Sequence, residues 1–135
     1  MKAYLLDTNI CIFYLNDKHS IGKKIKEVGI ANCFTSEITI AELKYGAECS
    51  RRREQNRALV EDFTAKFKAL PIFDTFDIYA KEKARLRKLG TLIDDFDLLI
   101  GSTALFHNLV MVTDNVEHLG RLEGITIENW TKATA

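Results

Sequence analysis

Four acidic residues stand where the strands and helices of this chain would meet. Asp7 follows the apolar run Tyr4-Leu5-Leu6, Glu42 lies within Ala41-Glu42-Leu43-Lys44, Asp97 follows Asp95-Phe96, and Asp114 follows Met111-Val112-Thr113. Carboxylates that share a site cannot all stay ionised without a counter-charge. A divalent cation supplies one, and hard oxygen donors suit Mg²⁺ or Mn²⁺. The chemistry this pattern suggests is metal-dependent cleavage of a phosphodiester.

The elements that would position these acids alternate along the chain. Apolar strand-like runs occur at Ala3-Tyr4-Leu5-Leu6, Asn32-Cys33-Phe34-Thr35, Leu70-Pro71-Ile72-Phe73, Leu109-Val110-Met111-Val112 and Ile125-Thr126-Ile127. Helical periods fill 8–16, 20–29, 37–49, 52–69, 76–89 and 95–107. Continuous apolar strands alternating with helices predict an α/β fold whose mostly parallel sheet is covered on both faces. Helices arrive in consecutive pairs near 8–29 and 37–69, which predicts extra helical hairpins on the sheet. In such a sheet the carboxyl ends of the strands share one edge, and sites form there. Asp7 and Asp114 close strands, Asp97 lies in a first helical turn, and Glu42 lies early in the helix after the second strand.

Each acid also has a plainer explanation. Asp7 with Thr8 and Asn9 makes a good helix N-cap set. Asp97 is a favourable first-turn charge on a helix dipole, although Asp94 or Asp95 is the better cap. Asp114-Asn115 is a good turn pair. On a helical wheel Glu37, Lys44 and Glu48 form a narrow solvent stripe, whereas Glu42 falls among Ile38, Ala41, Tyr45 and Cys49. A carboxylate on that face is costly unless it is ion-paired or holds a metal. Four such coincidences on one edge favour a shared site. Gly101 and Ala104, in one stripe with Asp97 and Ile100, allow their helix to pack closely on the sheet.

Composition narrows the classes. The 135 residues, 47% hydrophobic and 28% charged, fit one globular domain over 1–135. No apolar run approaches the roughly 18 residues of a membrane helix, and Met1-Lys2 with the short run after it is not a signal peptide. A cytoplasmic protein is expected. Cys11, Cys33 and Cys49 lack metal-ligand spacing and read as small buried hydrophobes in a reducing compartment. The formal net charge of zero argues against broad phosphate-driven nucleic-acid binding. Arg51-Arg52-Arg53 and Lys81, Lys83, Arg85, Arg87 and Lys88 form two basic clusters, either local patches or solvated helix faces. His19, His107 and His118 are not at ligand spacing. No serine or cysteine carries a nucleophile signature, and no glycine-rich phosphate loop is present.

Tyr4-Leu5-Leu6-Asp7-Thr8-Asn9, Thr39-Ile40-Ala41-Glu42-Leu43-Lys44-Tyr45-Gly46-Ala47, Asp97-Leu98-Leu99-Ile100 and Val112-Thr113-Asp114-Asn115 together resemble the PIN-domain ribonucleases. Within them they are similar to VapC-type toxins of type II toxin–antitoxin pairs, as is the ending Ile127-Glu128-Asn129-Trp130. The resemblance spans nearly the whole chain in order. It implies a three-layer α/β/α fold with a central sheet of four to five strands. It also implies an endoribonuclease that cuts tRNA, rRNA or mRNA and inhibits translation. Asp7, Glu42 and Asp97 match the family's core acids and would hold Mg²⁺ or Mn²⁺. The family's fourth position falls on Asn115, with Asp114 adjacent, so either could face the site. Thr8, Asn9 and Thr113 would orient carboxylates or water. The resemblance further implies a homodimer, and a heterotetramer or larger assembly with a small antitoxin that covers the site. A bidentate arginine, or a lysine, from that antitoxin is the best match to clustered carboxylates.

Two rival readings fit less well. A magnesium-dependent phosphatase of receiver type needs a lysine after a late strand and an acidic pair near the first, and neither is present. A non-catalytic binding module would have no need of the intact acids.

Overall fold

Tyr4-Leu5-Leu6 and Val110-Met111-Val112 are apolar at every position because both faces of their sheet are buried. In the computed structural model, which describes residues 2–132, Tyr4, Leu6, Val110 and Val112 join one core, while Leu5 and Met111 join the other. This is the two-residue alternation of strands, with apolar side chains on both sides. The five strands β1 (Tyr4–Leu6), β2 (Cys33–Ser36), β3 (Lys68–Leu70), β4 (Val110–Val112) and β5 (Ile127–Glu128) form one sheet in the order β3-β2-β1-β4-β5. Every pairing is parallel.

Helices α1 (Thr8–Leu15), α2 (Ile21–Val28), α3 (Glu37–Cys49) and α4 (Arg53–Lys66) supply the first core with Ile10, Ile21, Ile25, Leu43, Val60 and Phe63. Helices α5 (Phe76–Lys88), α6 (Asp95–Phe106) and α7 (Val116–Leu119) supply the second with Leu86, Leu98, Ile100 and Leu119. The result is the three-layer α/β/α architecture, with paired helices on the first face.

Five of the expected helices stand within a residue of their predicted ends. The fourth, expected over 52–69, stops at Lys66, because Phe67 turns extended and carries its buried ring into β3. That strand was expected at Leu70–Phe73 and lies instead at Lys68–Leu70, paired Phe34↔Lys68 and Ser36↔Leu70. Pro71 is the reason, since it has no N–H to give a ladder and confines pairing to the residues before it. The chain then turns through a short 3₁₀ segment, Phe73–Thr75. The last strand, expected at Ile125–Ile127, is displaced to Ile127–Glu128 by the turn at Gly124, whose φ is 80°. The four-residue α7 was not foreseen, because one turn carries no readable period. Cys11 and Cys33 are buried as expected, but Cys49 is exposed at the end of α3.

Gly101 makes α6 pack closely, as its stripe suggested. A Cβ there would lie 2.1 Å from Leu122 Cδ1 and 3.1 Å from Leu119 Cδ1. Both leucines are buried, so Gly101→Ala should lower stability by about 1–3 kcal/mol through overpacking, read as a lower urea midpoint at unchanged slope.

Candidate active site

The sheet order changes direction between β1 and β4, and the crevice of an open α/β sheet forms at such a switch point. Asp7 ends β1 there. Its N–H continues the ladder to Val112 O at 2.9 Å, and its side chain is buried. Oδ1 accepts from Thr8 N at 2.9 Å, and Oδ2 accepts from the Thr113 hydroxyl at 2.7 Å. Both explanations of Asp7 therefore hold, because one oxygen caps α1 while the other is tied to the end of β4. Burial raises the Asp7 pKa above its ordinary value. The Thr113 and Thr8 hydrogen bonds oppose that rise, and the charges of Asp114 and Glu42 add to it.

Glu42 reaches the same place from α3. The Thr8 hydroxyl donates to its Oε1 at 2.7 Å. Thr8 Oγ1 lies 3.0 Å from the buried Thr39 Oγ1, and since Thr8 gives its own proton to Glu42, Thr39 is the donor in that pair. The route to this position corrects the helical wheel. The buried residues of α3 are Thr39, Leu43 and Ala47, whereas Ala41, Tyr45 and Cys49 are exposed, Tyr45 at 73%. Glu42 sits on the flank of the inner face, where Thr39 and Ala47 stand with Leu43 and escape a polarity count. Among the described residues no cation pairs with Glu42, so the buried salt bridge is not what holds it.

Asp97 is the third residue of α6. Asp94 caps that helix by accepting from Phe96 N at 3.1 Å. Asp95 is engaged elsewhere, by Lys83 Nζ at 2.7 Å and the Tyr79 hydroxyl at 2.9 Å. That leaves half-buried Asp97 with no cationic partner among the described residues, and its pKa is pushed up to about 6. Burial is the largest cause, followed by the charges of Asp7, Asp94 and Glu42, with His118 acting in the opposite sense. Asp7, Glu42 and Asp97, from three separate elements, thus act on one another electrostatically.

Asp114 and Asn115 diverge. Asp114 Oδ1 accepts from Asn9 Nδ2 at 3.4 Å, and its charge acts on Asp7. Asn115 turns its amide to His118, with Nδ2 3.2 Å from Nδ1, while its N–H donates to Thr113 Oγ1 at 2.9 Å. Thr113 is the joint of the site, since its hydroxyl gives to Asp7 and receives from Asn115. Thr39, Asp94 and His118 were missed as neighbours of the acids. Thr39 stands one helical turn before Glu42, a spacing that could have flagged it. His118 carried no signal because it is not at ligand spacing with His19 or His107, and its nearness to Asp97 is set by the fold.

Among the described residues no three carboxylate, imidazole or thiol groups stand placed to hold an ion together. The donor set is nonetheless all oxygen, uncompensated by cations, and raised in pKa at two of its members. Mg²⁺ is commonly held by one or two carboxylates while it retains waters, so an open cluster of this kind fits a hard divalent ion without a closed cage.

A model of the PIN domain matches residues 4–123. The chain is 33% identical to Ribonuclease VapC2 of Rickettsia felis over 133 residues, covering 96% of this chain and 98% of that one. It is 34% identical to the tRNA(fMet)-specific endonuclease VapC of Salmonella typhimurium over 131 residues, covering 96% and 99%. Among solved structures, DNA-bound VapBC from Salmonella typhimurium superposes with a TM-score of 0.88 at 34% identity, covering 96% of this chain and 99% of that one.

Proposed function

The chain belongs to the PIN-domain family and to its VapC ribonuclease group, and from that premise we propose that it is a metal-dependent endoribonuclease, the toxin of a toxin–antitoxin pair. The observation that carries this reading is the meeting of Asp7, Glu42 and Asp97 at the switch point with no cation to balance them. In this reading they hold Mg²⁺ or Mn²⁺, which supplies Lewis acidity toward the phosphodiester and offsets charge in the transition state. Thr113 and Thr8 hold the carboxylates of Asp7 and Glu42 in fixed orientations, each by a 2.7 Å bond. Asp114, held by Asn9, adds negative charge beside Asp7, and Asn115 keeps Thr113 oriented toward it.

The RNA class is part of the same proposal. Transfer, ribosomal and messenger RNA are the classes whose cleavage inhibits translation, and the name of the Salmonella relative makes tRNA(fMet) the first to test. Purified chain incubated with total RNA should produce new, discrete 5′ ends only when Mg²⁺ or Mn²⁺ is present. Cleavage that persists unchanged in chelator would refute metal dependence, and no cleavage with either ion would refute the activity.

Two partners belong to the same reading. The VapBC complexes among similar structures support a small antitoxin, whose arginine or lysine would enter the acid cluster in place of the metal. A second copy of the chain would cover the exposed aromatic and aliphatic residues about the N-termini of α5 and α6, namely Phe73, Phe76, Leu92 and Phe96. No helix among the described residues is long and apolar enough to cross a membrane.

A further inference from the structure

An all-carboxylate site repels the polyanion it is proposed to cut, so basic side chains must hold phosphates nearby. The two clusters visible in the sequence are partly committed elsewhere. Arg85 is bound by Glu82 and Glu123, Lys83 by Asp95, and Arg57, beside the arginine run, by Glu48. A third basic group exists only in the fold. Residues of the α1–α2 turn and of α2 face the segment after β5 across a cleft of about 660 Å³. Lys23 and Lys24 line one side and Lys132 the other, and none of the three has an acidic partner among the described residues.

Both walls connect to the acids along the chain. One follows α1, which Asp7 caps. The other starts just past Glu128, whose carbonyl accepts from Thr113 N at 3.1 Å, while the Thr113 hydroxyl holds Asp7. Trp130 forms the floor. It is packed on Tyr4 with ring centroids 5.2 Å apart, and Lys24 Nζ lies 5.9 Å above its ring. Glu128 and Glu27 also line the cleft, but Glu128 is occupied by Lys2 at 3.4 Å and by Trp130 Nε1 at 2.9 Å. The turn between α1 and α2 places three non-glycine residues, Asp17, His19 and Ser20, in the left-handed region at φ 53°, 57° and 53°. Ser20 makes no side-chain cap to α2, whose first amide, Ile21 N, donates instead to Lys18 O at 3.3 Å. Strained turns of this kind concentrate at functional sites.

We propose that this cleft binds the phosphodiester backbone of the RNA strand to one side of the scissile bond, with Lys23, Lys24 and Lys132 as its phosphate contacts. The proposal rests on the ribonuclease reading for its ligand. It predicts little base preference in the cleft, because phosphate contacts position a strand without reading its sequence.

The test uses the full chain and a fluorescein-labelled single-stranded oligouridylate in EDTA, titrated across a range of KCl concentrations. Lys23→Glu/Lys24→Glu should weaken binding about tenfold and flatten the log–log salt slope by about 1.4, since each lost phosphate contact on a single strand contributes roughly 0.7. Arg51→Glu/Arg52→Glu, at the α3–α4 connection, should stay within about twofold of wild type. With Mn²⁺ and a long RNA, the lysine pair should raise KM with kcat unchanged. Unchanged affinity and slope in the lysine pair overturn the cleft assignment, including the outcome in which that pair loses only an acidic protein segment. The two readings fail separately. A wild type that binds through the cleft but never cuts refutes the ribonuclease, whereas one that cuts while the lysine pair keeps its KM refutes the cleft.

Discussion

Asp97→Asn and Asp7→Asn each lower RNA cleavage by more than about 100-fold while the protein stays folded. Changing a neighbour that merely orients a metal ligand costs roughly 10–100-fold, and loss of a ligand costs more. The two substitutions leave the fold intact for different reasons. Asp97 has no hydrogen-bond or ion-pair partner among the described residues to lose, so an amide replaces it without disruption. Asn at position 7 remains a good N-cap and can still accept from Thr8 N. Its new NH₂ would meet Thr113 Oγ1, which already receives the Asn115 N–H, so Asp7→Asn should be close to neutral in stability rather than stabilising. The measurement is a single-turnover cleavage rate beside circular dichroism. Wild-type cleavage by either folded variant would remove that residue from the site.

Stability should respond to Asp97→Asn with opposite signs in the absence and presence of metal. The Asp97 pKa is raised from its ordinary 3.8 to about 6 in the fold. The native state therefore binds more protons than the unfolded chain between those values, and stability falls as pH rises through them. Unscreened, a rise of that size would cost about 3 kcal/mol at neutral pH, but Asp97 is only half-buried, and solvent screening reduces this to about 1 kcal/mol. In EDTA the variant should match wild type near pH 3.8 and exceed it by about 1 kcal/mol at pH 7. Saturating Mn²⁺ should reverse the order. An ion at 100 times its Kd stabilises wild type by about 2.7 kcal/mol, and the variant should lose most of that gain. Urea melts at several pH values, with and without Mn²⁺, test both halves. A variant no more stable than wild type at pH 7 in EDTA would show that the Asp97 charge is neither desolvated by burial nor repelled by Asp7 and Glu42. Equal Mn²⁺ stabilisation would show that it holds no ion.

The layers of the fold, the parallel sheet and the edge on which the acids meet can all be read from the order of the residues. These are written in short-range patterns. Apolar runs such as Val110-Met111-Val112 mean a strand buried on both faces, helical periods mean helices between them, and parallel connectivity brings strand ends to one edge. The cap of α6 was equally legible as Asp94 or Asp95, and Asp94 holds it, because a cap is a local hydrogen bond. The ends of β3 and β5 and the existence of α7 were not, because a two- or three-residue element is defined by its partner strand or its packing. The inner face of α3 belonged to Thr39 and Ala47, since what a helix buries depends on the shape it packs against as well as on polarity. The divergence of Asp114 and Asn115, the engagement of Thr113 and the nearness of His118 to Asp97 were likewise tertiary decisions. So was the basic cleft, whose lysines lie more than 100 positions apart in sequence, at Lys23 and Lys132. Charge follows distance in space, and only the folded chain brings those residues together.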